Sequence, residues 1–202
     1  MHFSALEFGR HFLANYWRPS FRRIVDIGAR DVNGSLRQFC PAGSEYIGID
    51  IAEGEGVDIV LADPYSYPFP AGSIDIVLST SCLEHDQMFW LTFLEALRIV
   101  SNEGFVYFNV PSNGPYHGYP RDHWRFYADA AAALRAWGCR VGQPCHVIET
   151  FVGPVIGGHI WQDNVMIFSK SPSGPHTGHF LSEMVEGCEY VQNVGSVASL
   201  RA

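Results

Sequence analysis

Five short apolar runs punctuate the first 110 residues: Arg23–Ile27 (RIVDI), Tyr46–Asp50 (YIGID), Asp58–Leu61 (DIVL), Ile74–Ser79 (IDIVLS) and Phe105–Val110 (FVYFNV). Each is β-branched or aromatic, and most are apolar at both alternating positions, as strands buried between two helical layers are. Segments with helical spacing separate several of them. Ser4–Trp17 predicts an N-terminal helix, and Ser35–Phe39 a short helix straight after the first strand. In Met88–Val100, the residues Trp90, Phe93, Leu94, Leu97 and Val100 share one face. Ala128–Trp137 is built on an alanine run of high helix propensity. Beyond Gly138, Arg140–Thr150 and Asn164–Ser169 read as two strands without a helix between them. The whole pattern predicts an α/β fold, a doubly wound, mostly parallel seven-stranded sheet with an antiparallel C-terminal edge strand.

Length and composition narrow the setting. A chain of 202 residues suits one domain. We expect it to occupy residues 1–170, with 1–20 as a helical lead-in and 171–202 as a tail or packing arm. Thirteen basic against 21 acidic residues give a net charge of −8, and Lys170 is the single lysine. A nucleic-acid partner is therefore not expected, because phosphate tracking relies on clustered Lys and Arg. No apolar run approaches the roughly 18 residues of a membrane span. Glu7, Arg10 and His11 break up the N-terminal segment, which thus lacks the apolar core of a signal peptide. Five cysteines without CxxC spacing argue against a disulfide scaffold or a zinc cluster, so the expected compartment is cytoplasmic.

The candidate chemistry sits where strands end. The first strand runs into Val25-Asp26-Ile27-Gly28-Ala29-Arg30-Asp31-Val32-Asn33-Gly34. A glycine-bearing turn there lets the backbone approach a ligand. A dinucleotide fingerprint GxGxxG needs glycines where Arg30 and Asn33 stand, so a nicotinamide-dependent oxidoreductase is disfavoured. Asp50 closes the second strand, where a carboxylate can accept from the vicinal hydroxyls of an adenosine ribose. Asp63 follows the third strand in Leu61-Ala62-Asp63-Pro64, placed to accept from an adenine amino group or simply to form the turn before Pro64.

The order VDIGARDVNG, YIGID, LADPYSYPFPAGSIDIVLSTSCLEH and EALRIVSNEGFVYFNVPSNGP resembles the class I S-adenosylmethionine-dependent methyltransferases, small stand-alone type-11 enzymes in particular. The resemblance spans about Phe21 to Asp129 and implies a Rossmann-like fold with S-adenosyl-L-methionine as cofactor. By position it implies that Asp26, Gly28, Ala29 and Arg30 lie beside the cofactor's amino-acid part. It puts Asp50 and Ile51 at the ribose and Ala62 and Asp63 at the adenine. Ser79 to His85 would line the methionine side and face the transferred methyl. The usual GxGxG is replaced at Arg30 and Val32, and a post-helix PGG by Asn102-Glu103-Gly104.

The segment Pro111 to Tyr127 (PSNGPYHGYPRDHWRFY) lies beyond the fifth strand, at the edge where open α/β sheets bind ligands. Its His, Asp, Arg and aromatic residues suit a small polar acceptor such as a sugar or glycan precursor. The plainer reading is a lid, with aromatics packed on the sheet and Arg125 paired to Asp122. His85 and His117 are candidate catalytic bases, with Asp122 as orienter or alternative base. His117, Asp122 and His123 match no defined metal-ligand spacing, so no metal is expected. The expected activity is O-methylation of a sugar or similar metabolite. The alternative is a non-catalytic cofactor-binding or partner subunit, which Arg30, Val32 and Asn102-Glu103-Gly104 favour slightly.

Overall fold

The computed structural model describes residues 3–194; residues 1–2 and 195–202, the end of the expected tail, lie outside the described residues. In chain order the elements are α1 (Phe3–Tyr16), β1 (Arg23–Ile27), β2 (Glu45–Asp50), β3 (Ile59–Val60), β4 (Ile74–Thr80), α2 (Phe89–Ile99), β5 (Val100–Pro111), α3 (Ala130–Arg140), β6 (His146–Val152), β7 (Asp163–Ser169) and β8 (Glu189–Asn193). Single 3-10 turns occupy Leu36–Phe39 and Leu181–Glu183. One sheet runs in the order β3-β2-β1-β4-β5-β7-β6-β8. Strands β1 to β5 are mutually parallel, and β7 runs antiparallel between β5 and β6.

The sheet therefore has eight strands rather than seven, and its edge is β8, which pairs antiparallel with β6. Residues Glu189–Asn193 carry no alternating apolar pattern because β8 is exposed along most of its length. Three further boundaries move. Helix α3 continues through Arg140, so β6 begins only at His146. Strand β5 begins at Val100, directly after α2, which places Asn102-Glu103-Gly104 inside a strand rather than in a turn. The β4–β5 register breaks between Ile74 and Ile76, where that extra length is absorbed.

Alternation along the strands builds two cores. In β1, Val25 and Ile27 face one layer with α2 and α3, while Ile24 faces the other with α1. Strand β5 splits likewise, Val106, Phe108 and Val110 against Phe105 and Tyr107. On the α1 side Phe12 stacks on Tyr107 with ring centroids 4.4 Å apart, and Tyr16 meets Phe105 edge-on at 5.0 Å. Each such ring contributes roughly 1.5–3 kcal/mol by leaving water.

The β1–β2–β3 end has no full crossover helix, and side chains replace it. Tyr67 and Phe69 of the loop after β3 bury themselves against the sheet. The Glu95–Arg98 pair of α2 holds that loop: Arg98 donates to the carbonyls of Tyr67 (2.9 Å) and Phe69 (2.8 Å), and Glu95 accepts from Tyr67 N (2.8 Å). At the other loop, Arg37 donates to the carbonyls of Tyr46 and Gly56 and pairs with Asp58. These clamps fix the short loops whose ends form the ligand edge.

Candidate functional site

The sheet order reverses between β1 and β4, and both strands end at the same edge. The turn after β1 is tied down by Gly28 N and Ala29 N, which donate to the carbonyl of Ile49 at 2.9 and 3.1 Å. Gly28 sits at φ +76°, and a Cβ there would lie 2.4 Å from Cys82 Sγ. The β1 turn and the segment after β4 are thus in direct contact, which only glycine permits. Ser81, at φ +51°, makes the tight corner that aims Cys82 at Gly28.

Beside this contact lies an open ledge. Asp50 is half-buried, Ile51 is exposed, and Leu61 N donates to the Asp50 carbonyl (2.8 Å), bringing exposed Ala62 and Asp63 alongside. Each carboxylate oxygen of Asp50 takes one backbone N–H, from Ala52 (3.1 Å) and Arg30 (3.2 Å), so both keep a lone pair for a ligand. Asp63 is exposed, and its Oδ1 accepts from Tyr65 N at 2.9 Å, the turn role. Arg30 and Val32 are both exposed, and Arg30 lies along Gly54, where a Cβ would meet its Cγ at 2.8 Å. Neither side chain fills the approach to Gly28.

Two other residues of the implied set face inward. Ser79 is buried and donates to the Ile27 carbonyl at 2.9 Å, stitching β4 to β1. Asp26 is buried and accepts from Tyr46 OH at 2.7 Å. Burial pushes its carboxyl up to about 7, against the pull of the Tyr46 hydrogen bond and Arg37, with Asp50 adding to the rise. A carboxyl raised from about 3.9 in the unfolded chain stabilises the fold fully below that value and loses the contribution as pH rises through about 7. Asp26→Asn keeps an acceptor for Tyr46 and removes the charge. In urea titrations the stability lost between about pH 5 and pH 8 should shrink in Asp26→Asn; equal losses in both proteins would exclude Asp26 as the source.

The second group surrounds Glu84. His85 Nε2 lies 3.7 Å and His117 Nε2 3.9 Å from Glu84 Oε1, and the two imidazoles meet edge-on at 5.0 Å. Glu84 is fully buried, and neither of its oxygens meets a hydrogen-bond donor from another of the described residues. Burial pushes its carboxyl up to about 8 and holds His85 below its usual value. The loop after β5 folds over this group because His123 N and Trp124 N both donate to the Glu84 carbonyl, at 2.7 and 3.2 Å. Arg125 forks onto Asp122 at 2.5 and 2.6 Å and holds that carboxyl well below the usual range. Asp122 in turn accepts from His117 N at 2.8 Å.

The loop packs on the sheet edge and also lines open space there. Trp124 packs on Phe89 and Trp90, and Phe126 is buried on Phe89, while Tyr116 and Tyr127 stay exposed. A shallow cleft of about 260 Å³ runs along Gly114, Tyr116, Asp122, His123, Trp124 and Arg125. A larger cavity of about 550 Å³ opens further along the same edge, between Ser112–Asn113, Tyr127–Asp129 and β8. The structure thus gathers His85, His117 and Asp122 from distant sequence positions. Glu84 escaped the sequence reading, although its place beside His85 in Ser81-Cys82-Leu83-Glu84-His85 was a signal.

A family model described as a methyltransferase domain matches residues 25–108. No curated protein matches the chain significantly. Among solved structures, the chain is similar to the 1,6-didemethyltoxoflavin-N1-methyltransferase of Burkholderia thailandensis, solved with its substrate and S-adenosylhomocysteine. That likeness has 16% identity, 84% of this chain, 77% of that one and a TM-score of 0.61. A SAM-dependent methyltransferase of Archaeoglobus fulgidus matches with 15% identity, 82% and 92% coverage and a TM-score of 0.59. The [4+2]-cyclase SpnF matches with 12% identity, 83% and 82% coverage and a TM-score of 0.62. The cyclase makes plain that this likeness speaks to fold and leaves the reaction to the site. Residues 25–108 match the methyltransferase-domain family model, and the chain has the fold of S-adenosylmethionine-dependent methyltransferases.

Proposed function

We propose that the chain is an S-adenosyl-L-methionine-dependent methyltransferase that methylates an oxygen of a sugar or another small polar metabolite. The observation that carries this reading is the contact of Gly28 with Cys82, which joins the Asp50–Asp63 ledge to the Glu84–His85–His117 group at one sheet edge. The donor set suits the cofactor. Asp50 keeps acceptor capacity for a ribose diol, Asp63 and the Ala62 backbone would flank the adenine, and the Gly28–Ala29 turn would lie beside the amino-acid end. When bound, the cofactor supplies an electrophilic methyl on a sulfonium.

The chain's own residues do the rest. The turn after β1 and Cys82 would hold the cofactor's methionine end, and in-line alignment would then come from placement. The loop shields Glu84 from water and leaves His117 partly exposed, with Trp124 Nε1 donating to the Asp86 carbonyl (2.7 Å) to hold it in place. His85 and His117 face the group on which the acceptor's proton is handled, and Asp122 orients His117. Exposed aromatics and Arg-held carboxylates in the cleft suit a ring bearing hydroxyls.

Calorimetry with S-adenosylmethionine and S-adenosylhomocysteine, followed by a screen of sugars and nucleotide sugars for S-adenosylhomocysteine release, tests the reading. We expect both ligands to bind and an acceptor-dependent release that falls roughly 10²–10⁴-fold in His117→Ala. Binding of neither ligand would sink it in favour of a non-catalytic partner subunit.

A further inference from the structure

The geometry points to a divalent first-row cation held by Glu84, His85 and His117, with its catalytic use resting on the methyltransferase reading above. Three candidate ligand atoms, one per residue, lie within 4.8 Å of one another. Bonds of about 2.0–2.2 Å to such an ion put neighbouring ligands about 3–3.5 Å apart. The observed 3.7 and 3.9 Å from Glu84 Oε1 to the two Nε2 atoms close to that by small side-chain rotations.

The hydrogen-bond pattern fixes what each ring offers. His85 Nδ1 is bonded to the Arg121 carbonyl, so it carries the ring's hydrogen and leaves a lone pair on Nε2. His117 Nδ1 lies 3.2 Å from Asp122 Oδ2 and 3.3 Å from Arg125 Nη2. Both hydrogens of that Nη2 are already spent, on Asp122 Oδ2 (2.6 Å) and the Pro115 carbonyl (2.8 Å). His117 Nδ1 therefore donates to Asp122, and its Nε2 lone pair also faces Glu84. Two imidazole lone pairs converge on a carboxyl that is fully buried and meets no donor from another of the described residues. Acceptors alone repel one another, and ionising so buried a carboxyl needs a counter-charge; a cation between them meets both needs. A histidine whose other nitrogen donates to a carboxylate or carbonyl is the usual outer-shell support of a metal ligand, and here both rings have it.

Two nitrogens and one carboxylate favour Mn²⁺, Fe²⁺, Co²⁺ or Zn²⁺ over Mg²⁺ or Ca²⁺. Three protein ligands leave further positions open, which an acceptor hydroxyl can fill from the side of the partly exposed His117. Its proton then leaves to solvent and its oxygen lone pair bonds the methyl carbon. The carbon–sulfur bond breaks with its electron pair returning to sulfur. The imidazoles lower the cost of losing that proton through the cation rather than by taking it. The sequence expectation of no metal weighed only His117, Asp122 and His123, and passed over Glu84 beside His85.

The test uses the full chain, stripped with a chelator and titrated with Co²⁺, with Mg²⁺ as the hard-cation control. We expect one Co²⁺ per chain, a visible spectrum without thiolate charge transfer, and no comparable Mg²⁺ binding. Asp122→Asn should weaken Co²⁺ binding about 10–100-fold, and His117→Ala and Glu84→Gln at least as much. Circular dichroism checks folding; if the buried Glu84→Gln does not fold, the two loop variants decide. No Co²⁺ binding, thiolate bands from the cysteines, or unchanged affinity in the folded variants would overturn the site. Parallel calorimetry with S-adenosylhomocysteine separates the two readings. Its binding without Co²⁺ overturns the cation alone, and Co²⁺ binding without it leaves the site standing while the methyltransferase reading falls.

Discussion

Glu149→Ala should cost roughly 2–6 kcal/mol of folding stability and release the segment from Leu181 to β8. Glu149 lies in β6 with no exposed surface, and its two oxygens collect four donors. Tyr16 OH (2.8 Å) and Leu181 N (3.0 Å) reach Oε2, and Ser182 N (2.8 Å) and Ser182 Oγ (2.7 Å) reach Oε1. One carboxylate thus joins α1, the central sheet and the C-terminal arm. Truncation strands at least two buried donors, Tyr16 OH and Leu181 N, at about 1–3 kcal/mol each. Tyr16→Phe removes one donor and leaves the carboxylate three, so it should cost only about 1 kcal/mol. Urea denaturation gives the stabilities, and amide exchange at 181–193 reports release of the arm. Glu149→Ala within about 0.5 kcal/mol of the parent protein would show that the arm is held by its apolar contacts instead.

The arm is also where sequence patterning ran out. Residues whose burial is two-sided write themselves into the sequence, because strands such as RIVDI and FVYFNV must be apolar at successive positions. Both cores, and β1 to its last residue, follow from that. Strand β8 escapes because it leans on β6 from one side through backbone pairing, and the segment leading to it is pinned at Leu181 and Ser182 by buried Glu149. The crossover clamps escape for a related reason. Arg37 and Arg98 look like surface cations, and their work on backbone carbonyls of distant loops is set by tertiary geometry.

The site divides the same way. The ends of β1, β2 and β3 carry recognisable residues because strand ends in this topology converge on one edge whatever the loops contain. His85 and His117 were singled out one by one, but 32 positions separate them, and spacing along the chain says nothing of the carboxylate between them. Ser79 has one role implied by position and another visible in the sheet. It stands where a cofactor-lining residue is implied, yet its hydroxyl is spent inside the sheet. Arg30 and Val32 depart from the glycine pattern without blocking the cleft, since Arg30 is drawn aside along Gly54.

Asp50→Ala should lower affinity for S-adenosylhomocysteine about 10- to 150-fold, the equivalent of about 1.5–3 kcal/mol for charge-assisted hydrogen bonds lost. The carboxylate sits at the end of β2, half-buried, with one backbone N–H on each oxygen. Those two bonds also shape the turn, so the variant must separate ligand binding from loop order. Asp50→Asn does so: its amide oxygen still accepts one backbone N–H, but the charge that strengthens a bond from a ribose hydroxyl is gone. If Asp50 binds ribose, affinity falls in both variants, more in the alanine, while urea stability moves by less than about 1 kcal/mol. If Asp50 only orders the turn, stability falls in step with affinity and Asp50→Asn restores both. Calorimetry on the two variants beside their unfolding curves distinguishes these outcomes, and an unchanged affinity in Asp50→Ala would remove the ribose from this end of the sheet.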